Sequence, residues 1–151
     1  MITYQVEQLS NCLEEIKPLL ISHYEEVAMY KDKIALNPDY DKYLDMDNMG
    51  LIHTVTVRDD NKLVGYYISF IMPNMHYKDH TYALNDVLFL EESYRKTGTA
   101  VGLFTFTEEC LKDMGVSVMA IHMKTALPFD SLCEYLNYDY AERLYMKFIG
   151  E

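Results

Sequence analysis

The order of strand-like and helix-like segments constrains the fold of this chain more than any other feature of its sequence. Three segments rich in β-branched and aromatic residues follow one another without a helix between them, at 51–58, 63–72 and 82–90. A helix-like segment beginning at Gly98 and Thr99 then precedes a further strand at 116–124. Consecutive strands pair antiparallel, whereas a strand-helix-strand unit requires a right-handed crossover and a parallel pair. The chain therefore predicts a mixed sheet.

The remaining segments extend this sheet and cover it. Asn11 and Glu14 form a capping-box pattern before a run of apolar residues at helical spacing, and Asn37-Pro38 marks the start of a second helix. The other predicted elements are a strand at 2–6, helices at 13–27, 38–46 and 128–136, and a last strand at 141–149. The predicted fold is thus α/β (an α+β mixed sheet), with about six strands and helices on both faces.

The chain is strongly acidic, which restricts its partners. Lys+Arg 13 against Asp+Glu 24 gives a net charge of -11. Nucleic-acid backbones and anionic membranes both attract proteins through a positive field, so neither is expected as a partner. A small amine or a basic protein suits this charge better. A homodimer is a separate expectation, in which another chain would complete the C-terminal half of the substrate cleft.

Other composition features predict a cytoplasmic protein with one domain over 1–151. The first residues lack the basic stretch and apolar run of a secretory signal. The longest nearly apolar run, 63–72, falls short of the roughly 20 residues that span a bilayer. Cys12, Cys110 and Cys133 are widely separated without a C-x-x-C pair, so neither a disulfide framework nor a metal site is expected.

One loop carries a phosphate-binding pattern. Arg95-Lys96-Thr97-Gly98-Thr99-Ala100 connects the strand ending at Leu90 to the following helix. The first amides of a helix lack intrahelical partners and lie at the positive end of its dipole, so such a junction can bind phosphate. Neither Walker A nor the dinucleotide G-x-G-x-x-G pattern is present, which disfavours the usual nucleotide classes.

This loop resembles the acyl-CoA motif of the GCN5-related N-acetyltransferase (GNAT) superfamily. That motif has Arg or Gln, two residues, Gly, one residue, then Gly or Ala, and Arg95, Gly98 and Ala100 match it. The resemblance covers nearly the whole chain and is greatest to small bacteriophage-encoded acetyltransferases, through the stretches 83–87 and 121–124. It implies a GNAT-like fold with a truncated C-terminal hairpin, because only one strand is predicted after Tyr138.

The resemblance also implies acetyl-CoA as co-substrate and a place for it. The strands at 82–90 and 116–124 would splay apart to admit pantetheine. The implied cofactor-binding residues are Leu88 and Leu90 through their backbone, together with Arg95, Lys96, Thr97, Gly98, Thr99 and Ala100 around the pyrophosphate.

Four side chains are candidates for the chemistry. Asp86 interrupts an apolar strand and could act as a base, directly or through water, or could be a solvated acid. His122 could relay a proton or be structural. Cys133 stands where the superfamily often has a tyrosine general acid, and it could be an acid or a small core residue. Tyr135 is another candidate donor, with Tyr138 and Tyr145 as rivals.

These features predict an N-acetyltransferase that transfers an acetyl group from acetyl-CoA to a primary amine by direct attack in a ternary complex. A non-catalytic acyl-CoA-binding or protein-binding module of the same fold is the alternative. A purely structural subunit would leave the 95–100 loop without a ligand.

Overall fold

Five strands form one mixed sheet in the computed structural model, which describes residues 1–151. They are β1 (Ile2–Val6), β2 (Ile52–Asp59), β3 (Lys62–Pro73), β4 (Thr81–Leu90) and β5 (Val118–Ala120). The strands lie in chain order, with antiparallel pairs from β1 to β4 and a parallel pair between β4 and β5. The predicted mixed sheet is therefore confirmed.

Helices cover both faces of the sheet. They are α1 (Leu9–Val27), α2 (Tyr40–Asn48), α3 (Thr99–Asp113) and α4 (Asp130–Tyr135), with a short 3₁₀ turn at Glu92–Tyr94. Successive strand residues point to opposite faces. Tyr66 and Tyr67 of β3, both fully buried, accordingly pack into two different clusters, the first with α1 and α2 and the second with α3 and α4. None of the helices combines the length and the apolar character needed to cross a membrane.

The predicted last strand is wrong. Residues 139–151 form neither strand nor helix and are mostly exposed, so the sheet has five strands instead of about six. The segment 141–149 alternates as a strand does, but a strand exists only where its backbone pairs with a sheet edge. β5 is also shorter than the predicted 116–124, because only three of its residues pair with β4.

Two helix starts differ from the predicted ones. The N-cap residue of helix α1 is Gln8, three residues before the predicted N-cap Asn11. The helix begins at Leu9, and no side chain caps it. Helix α2 begins after Asp39, whose carboxylate accepts a hydrogen bond from the Lys42 amide at 3.0 Å. Asp39 thus provides the cap that was predicted at Asn37.

A buried arginine fixes α1 against the sheet. Arg58 of β2 donates to Glu15 of α1 at 2.8 and 2.9 Å, and to Glu7 at 3.1 and 3.2 Å. These ion pairs hold the pKa of both carboxyls below their usual values, although burial of Glu7 opposes the shift there. Fixing the start of α1 places its far end, with His23 and Glu26, beside β4 and the loop that follows it.

Candidate functional site

The parallel strands β4 and β5 separate shortly after they meet. Their pairing runs from Tyr82 with Val118 to Leu84 with Ala120 and then stops. Beyond that point the side chain of Asn85 joins the two segments. Its amide nitrogen donates to the His122 backbone carbonyl at 3.2 Å, and its amide oxygen accepts from the His122 backbone N–H at 2.6 Å. From Asn85 onward β4 has no strand partner on this side, which leaves an opening between β4 and the segment after β5. The strand pairing thus ends after three residue pairs, which is what the splay implied by the GNAT resemblance requires.

The N-terminus of α3 presents a set of free backbone donors. Every backbone amide from Lys96 to Val101 lacks a hydrogen-bond partner within the protein. Gly98, the residue preceding α3, has a φ of 81°, a left-handed conformation that glycine adopts at little cost. Unpaired amides at the positive end of a helix dipole can bind a phosphate or pyrophosphate group.

Arg95 ties this loop to its surroundings. Its Nε donates to the Leu90 carbonyl at 2.7 Å, and its Nη2 donates to Glu26 of α1 at 2.9 Å. The guanidinium also lies 5.7 Å from the ring centre of Phe89. Arg95 therefore positions the loop relative to β4 and α1, and the Leu90 carbonyl already accepts one hydrogen bond. Leu88 packs on the α3 side of the sheet.

Asp86 lies at an irregularity in β4. Ser69 of β3 pairs with Asn85 and Ile68 pairs with Val87, so Asp86 is an extra residue, a β-bulge. The Tyr43 hydroxyl of α2 donates to Asp86 Oδ2 at 2.5 Å. Burial raises the pKa of the Asp86 carboxyl, while the Tyr43 hydrogen bond and the charge of Lys124 lower it by less. A carboxyl with a raised pKa and one engaged oxygen is suited to accept a proton on its other oxygen.

None of the other predicted catalytic side chains makes a hydrogen bond to Asp86, whose side-chain partner is Tyr43. The His122 side chain is exposed and makes no hydrogen bond, although its backbone is held by Asn85. Cys133 is partly buried in α4, and burial followed by the charges of Asp130 and Glu134 raises the pKa of its thiol. Tyr135 is 71% exposed. The structure thus joins Asp86 to α2, while Cys133 and Tyr135 belong to α4.

The rival tyrosines differ in environment. The Tyr138 hydroxyl donates to Glu108 at 2.7 Å and lies 3.2 Å from the Met119 sulfur. Burial, followed by this hydrogen bond, raises the pKa of Tyr138. Tyr145 is exposed on the segment after α4. The surroundings of Tyr138 therefore favour its protonated form.

Two residues beside the opening were missed by the sequence analysis. Tyr43 shows only as one of the apolar residues of α2, although it contacts Asp86 directly. His23 of α1 packs 5.6 Å from the ring of Phe89, and burial lowers its pKa. The single sequence signal for either was helical spacing, which predicts burial and not a polar contact.

The sequence matches no protein-family model and no curated protein. Solved structures do match. A ribosomal-protein-alanine N-acetyltransferase from Brucella melitensis biovar Abortus 2308 is 18% identical, with a TM-score of 0.74 over 99% of this chain and 100% of that one. A transcriptional regulator from Bacillus halodurans C-125 is 16% identical, with a TM-score of 0.77 over 98% and 100%. An aminoglycoside N-acetyltransferase in complex with CoA is 14% identical, with a TM-score of 0.70 over 97% and 98%. At these identities the likeness establishes the fold, which is that of the GNAT acetyltransferases.

Proposed function

We propose that this protein is an acetyl-CoA-dependent N-acetyltransferase that acts on a primary amine by direct attack in a ternary complex. The observation that carries the proposal is the run of unpaired amides from Lys96 to Val101, which follows the part of β4 that no longer pairs on the β5 side. A free anion site next to an unpaired strand edge suits a ligand that has both a pyrophosphate and an amide-containing arm. Acetyl-CoA is such a ligand, and CoA is bound by one of the similar structures.

The residues present fit this co-substrate. The amides from Lys96 to Ala100 would hold the pyrophosphate, and Gly98 lets the backbone approach closely because it has no side chain. Unpaired backbone groups of β4 after Asn85, including those near Leu88, would pair with the amides of pantetheine. Arg95 would act by positioning the loop through its contacts with Leu90 and Glu26. When bound, acetyl-CoA supplies a thioester carbonyl to the amine.

Asp86 is the proposed base. An amine attacks only in its neutral form, so an ammonium must first lose a proton. Asp86 Oδ2 already accepts from Tyr43, which leaves Oδ1 to accept that proton directly or through water. Because burial raises the pKa of Asp86, its basicity exceeds that of an exposed carboxylate. His122 remains the alternative relay, and Cys133, Tyr135 and Tyr138 remain candidates for the group that returns a proton to the leaving thiolate.

The proposed acceptor is a small amine or a basic protein. The net charge of -11 favours the approach of a cation over that of an anion. The names of two similar structures refer to a protein alanine and to aminoglycosides, both of which offer amines. As part of the same proposal, the protein acts in the cytoplasm and is related to the bacteriophage-encoded acetyltransferases that it resembles.

A non-catalytic module is the second candidate. It is favoured by the similarity to a structure named as a transcriptional regulator, whose chain is matched over its full length. Such a module would use the same amides to bind acyl-CoA but would not require Asp86.

One pair of measurements separates these functions. CoA binding is measured by calorimetry with acetyl-CoA and with S-acetyl-pantetheine, which lacks the pyrophosphate. Thiol release is then followed with a polyamine, an aminoglycoside, an amino acid and a peptide. Tighter binding of acetyl-CoA together with release on any amine supports the enzyme. Binding without release on any of them supports the module, and equal binding of the two thioesters contradicts the proposed pyrophosphate site.

A further inference from the structure

The segment that follows β5 turns alternate side chains to opposite faces of the sheet. Ile121 packs in the cluster with α3 and α4, and the Met123 sulfur accepts from the Phe129 amide at the start of α4 at 3.2 Å. Side chains alternate in direction along an extended chain. His122 and Lys124 therefore lie on the other face, the one that α1 and α2 cover.

Lys124 lies close to two titratable groups of that face. The Asp86 carboxyl accepts from the Tyr43 hydroxyl of α2, and His23 of α1 packs on the ring of Phe89. Burial is the largest influence on both groups, raising the pKa of Asp86 and lowering that of His23, and the charge of Lys124 lowers each pKa. Surface charges act over about 10 Å in salt solution, so the ammonium of Lys124 is near both groups.

The ammonium of Lys124 is exposed and is not engaged by the protein. It has no hydrogen-bond or ion-pair partner, although the chain has 24 acidic side chains against 13 basic ones. Arg95, the other cation whose charge acts on His23, pairs with Glu26 at 2.9 Å. Beside the opening, Asp86 and Lys124 therefore provide a negative group and an unpaired positive group on the same face.

We propose that Lys124 binds a carboxylate of the acceptor while Asp86 receives its amine, so that the acceptor is an amino acid. This inference rests on the proposed function, because it assigns the substrate class of the same site. An amino acid carries an ammonium and a carboxylate within one small molecule, and hydrogen bonds between charged groups are stronger than neutral ones.

The same pair of charges disfavours the other acceptors. A polyamine or an aminoglycoside would bring a second ammonium toward Lys124, and like charges placed together oppose binding. The net charge of -11 attracts cations to the molecule as a whole, whereas Lys124 acts only at this site. Specificity arises from this local repulsion as well as from the attraction of the carboxylate.

Ligand titrations followed by NMR, in the presence of excess CoA, test the assignment without requiring turnover. The ligands are L-alanine, γ-aminobutyrate, the uncharged amides of both, and the diamine cadaverine. In wild type, at least one amino acid should bind more tightly than its amide and than cadaverine. Lys124→Gln should weaken that amino acid by about fivefold, the upper end for an exposed ion pair, and leave its amide unchanged. Lys124→Glu should weaken it further and should bind cadaverine more tightly than wild type does.

Lys78→Glu is the matched control. Lys78 is also exposed, lies in the loop between β3 and β4, and is not among the charges that act on Asp86. The same change of charge at Lys78 should therefore leave all of these affinities unchanged. An NMR titration of the Asp86 carboxyl tests the placement of Lys124 directly. The pKa of Asp86 should rise in Lys124→Gln and should stay the same in Lys78→Glu.

Three results overturn the proposal. One is a pKa of Asp86 that is the same in wild type and Lys124→Gln, because Lys124 would then not face this carboxyl. Another is a Lys124→Gln protein that binds the amino acid as wild type does, or that loses the amino acid and its amide equally. The third is a wild type that binds neither amino acid, or that binds cadaverine more tightly than both.

Thiol release from acetyl-CoA is measured separately, so that the two proposals can fail independently. A protein that binds an amino acid through Lys124 but releases no thiol with any amine contradicts the proposed enzyme and supports the assignment of Lys124. A protein that acetylates amines, with an amino-acid affinity that does not depend on Lys124, supports the enzyme and overturns the assignment.

Discussion

The Tyr43 hydroxyl donates to Asp86 Oδ2 over 2.5 Å and joins α2 to the bulge of β4. Burial and the neighbouring carboxyl raise the pKa of Tyr43, so the hydroxyl keeps its proton and remains a donor. The Tyr43 ring is stacked on Phe70 of β3, which fixes the direction of the hydroxyl. One oxygen of Asp86 is therefore engaged, and the geometry determines which oxygen is left for chemistry.

Replacing Tyr43 with phenylalanine should shift the pH dependence of activity. The Tyr43 hydrogen bond lowers the pKa of Asp86 against the larger effect of burial, so its loss raises that pKa further. A base must be deprotonated, and the acidic limb of the kcat/KM profile should therefore move to higher pH in Tyr43→Phe. Tyr40→Phe is the control, because Tyr40 lies one turn earlier on α2 and makes no hydrogen bond to Asp86. An acidic limb that stays in place would remove Asp86 from the role of base.

Asp86→Asn should lose activity and gain stability at neutral pH. Loss of the base should lower kcat by roughly 10²–10⁴-fold while CoA affinity remains.

The folded pKa of Asp86 is raised, so the stability associated with its protonated form is present at low pH and is lost as pH rises through that pKa. Asparagine avoids this loss and still accepts from Tyr43. Urea unfolding at pH 7 should show a higher free energy of unfolding for the variant, with a smaller difference near pH 4. A variant less stable than wild type at pH 7 would contradict the stated role of burial.

Gly98→Val should abolish CoA binding, and Gly115→Val provides the comparison. These glycines flank the two ends of α3, with φ of 81° and 86°, and an added Cβ would meet nothing within 4 Å at either one. Each substitution should therefore cost a similar left-handed strain of about 1–2 kcal/mol. Only Gly98 lies among the unpaired amides, so only Gly98→Val should weaken CoA, measured by calorimetry beside a thermal melt. Equal CoA affinities in the two folded variants would place the pyrophosphate elsewhere.

Local pattern predicted most of the fold, and tertiary pairing decided the rest. The strands β2, β3 and β4 lie within one residue of their predicted bounds, and Gly98 precedes α3 as the loop pattern predicted. Alternating side chains at 141–149 predicted a strand that does not form. The pattern specifies which faces a strand would have, but a partner edge must also be available, and that depends on residues distant in sequence.

The site was predictable only where a residue was unusual for its element. Asp86 was conspicuous as a carboxylate within an apolar strand. The bulge that isolates it depends on register with Ser69 and Ile68 of β3, and Tyr43 reaches it from another helix. Neither relationship leaves a periodic trace in the sequence. The roles of the predicted site residues remain predictions, which the variants described here test.

Cys133→Ala should retain measurable activity, and no acetylated protein should form. Burial, with the charges of Asp130 and Glu134, raises the pKa of the Cys133 thiol, so it is mainly protonated near neutral pH and a poor nucleophile. Intact mass after mixing wild type with acetyl-CoA alone should show no added acetyl group. Cys110→Ala is the control, since burial raises the pKa of that thiol too.

An acetyl adduct lost only in Cys133→Ala would replace direct attack with an acyl-enzyme. A Cys133→Ala protein that binds acetyl-CoA but is inactive, without any adduct in wild type, would make this thiol the group that returns the proton to the departing CoA.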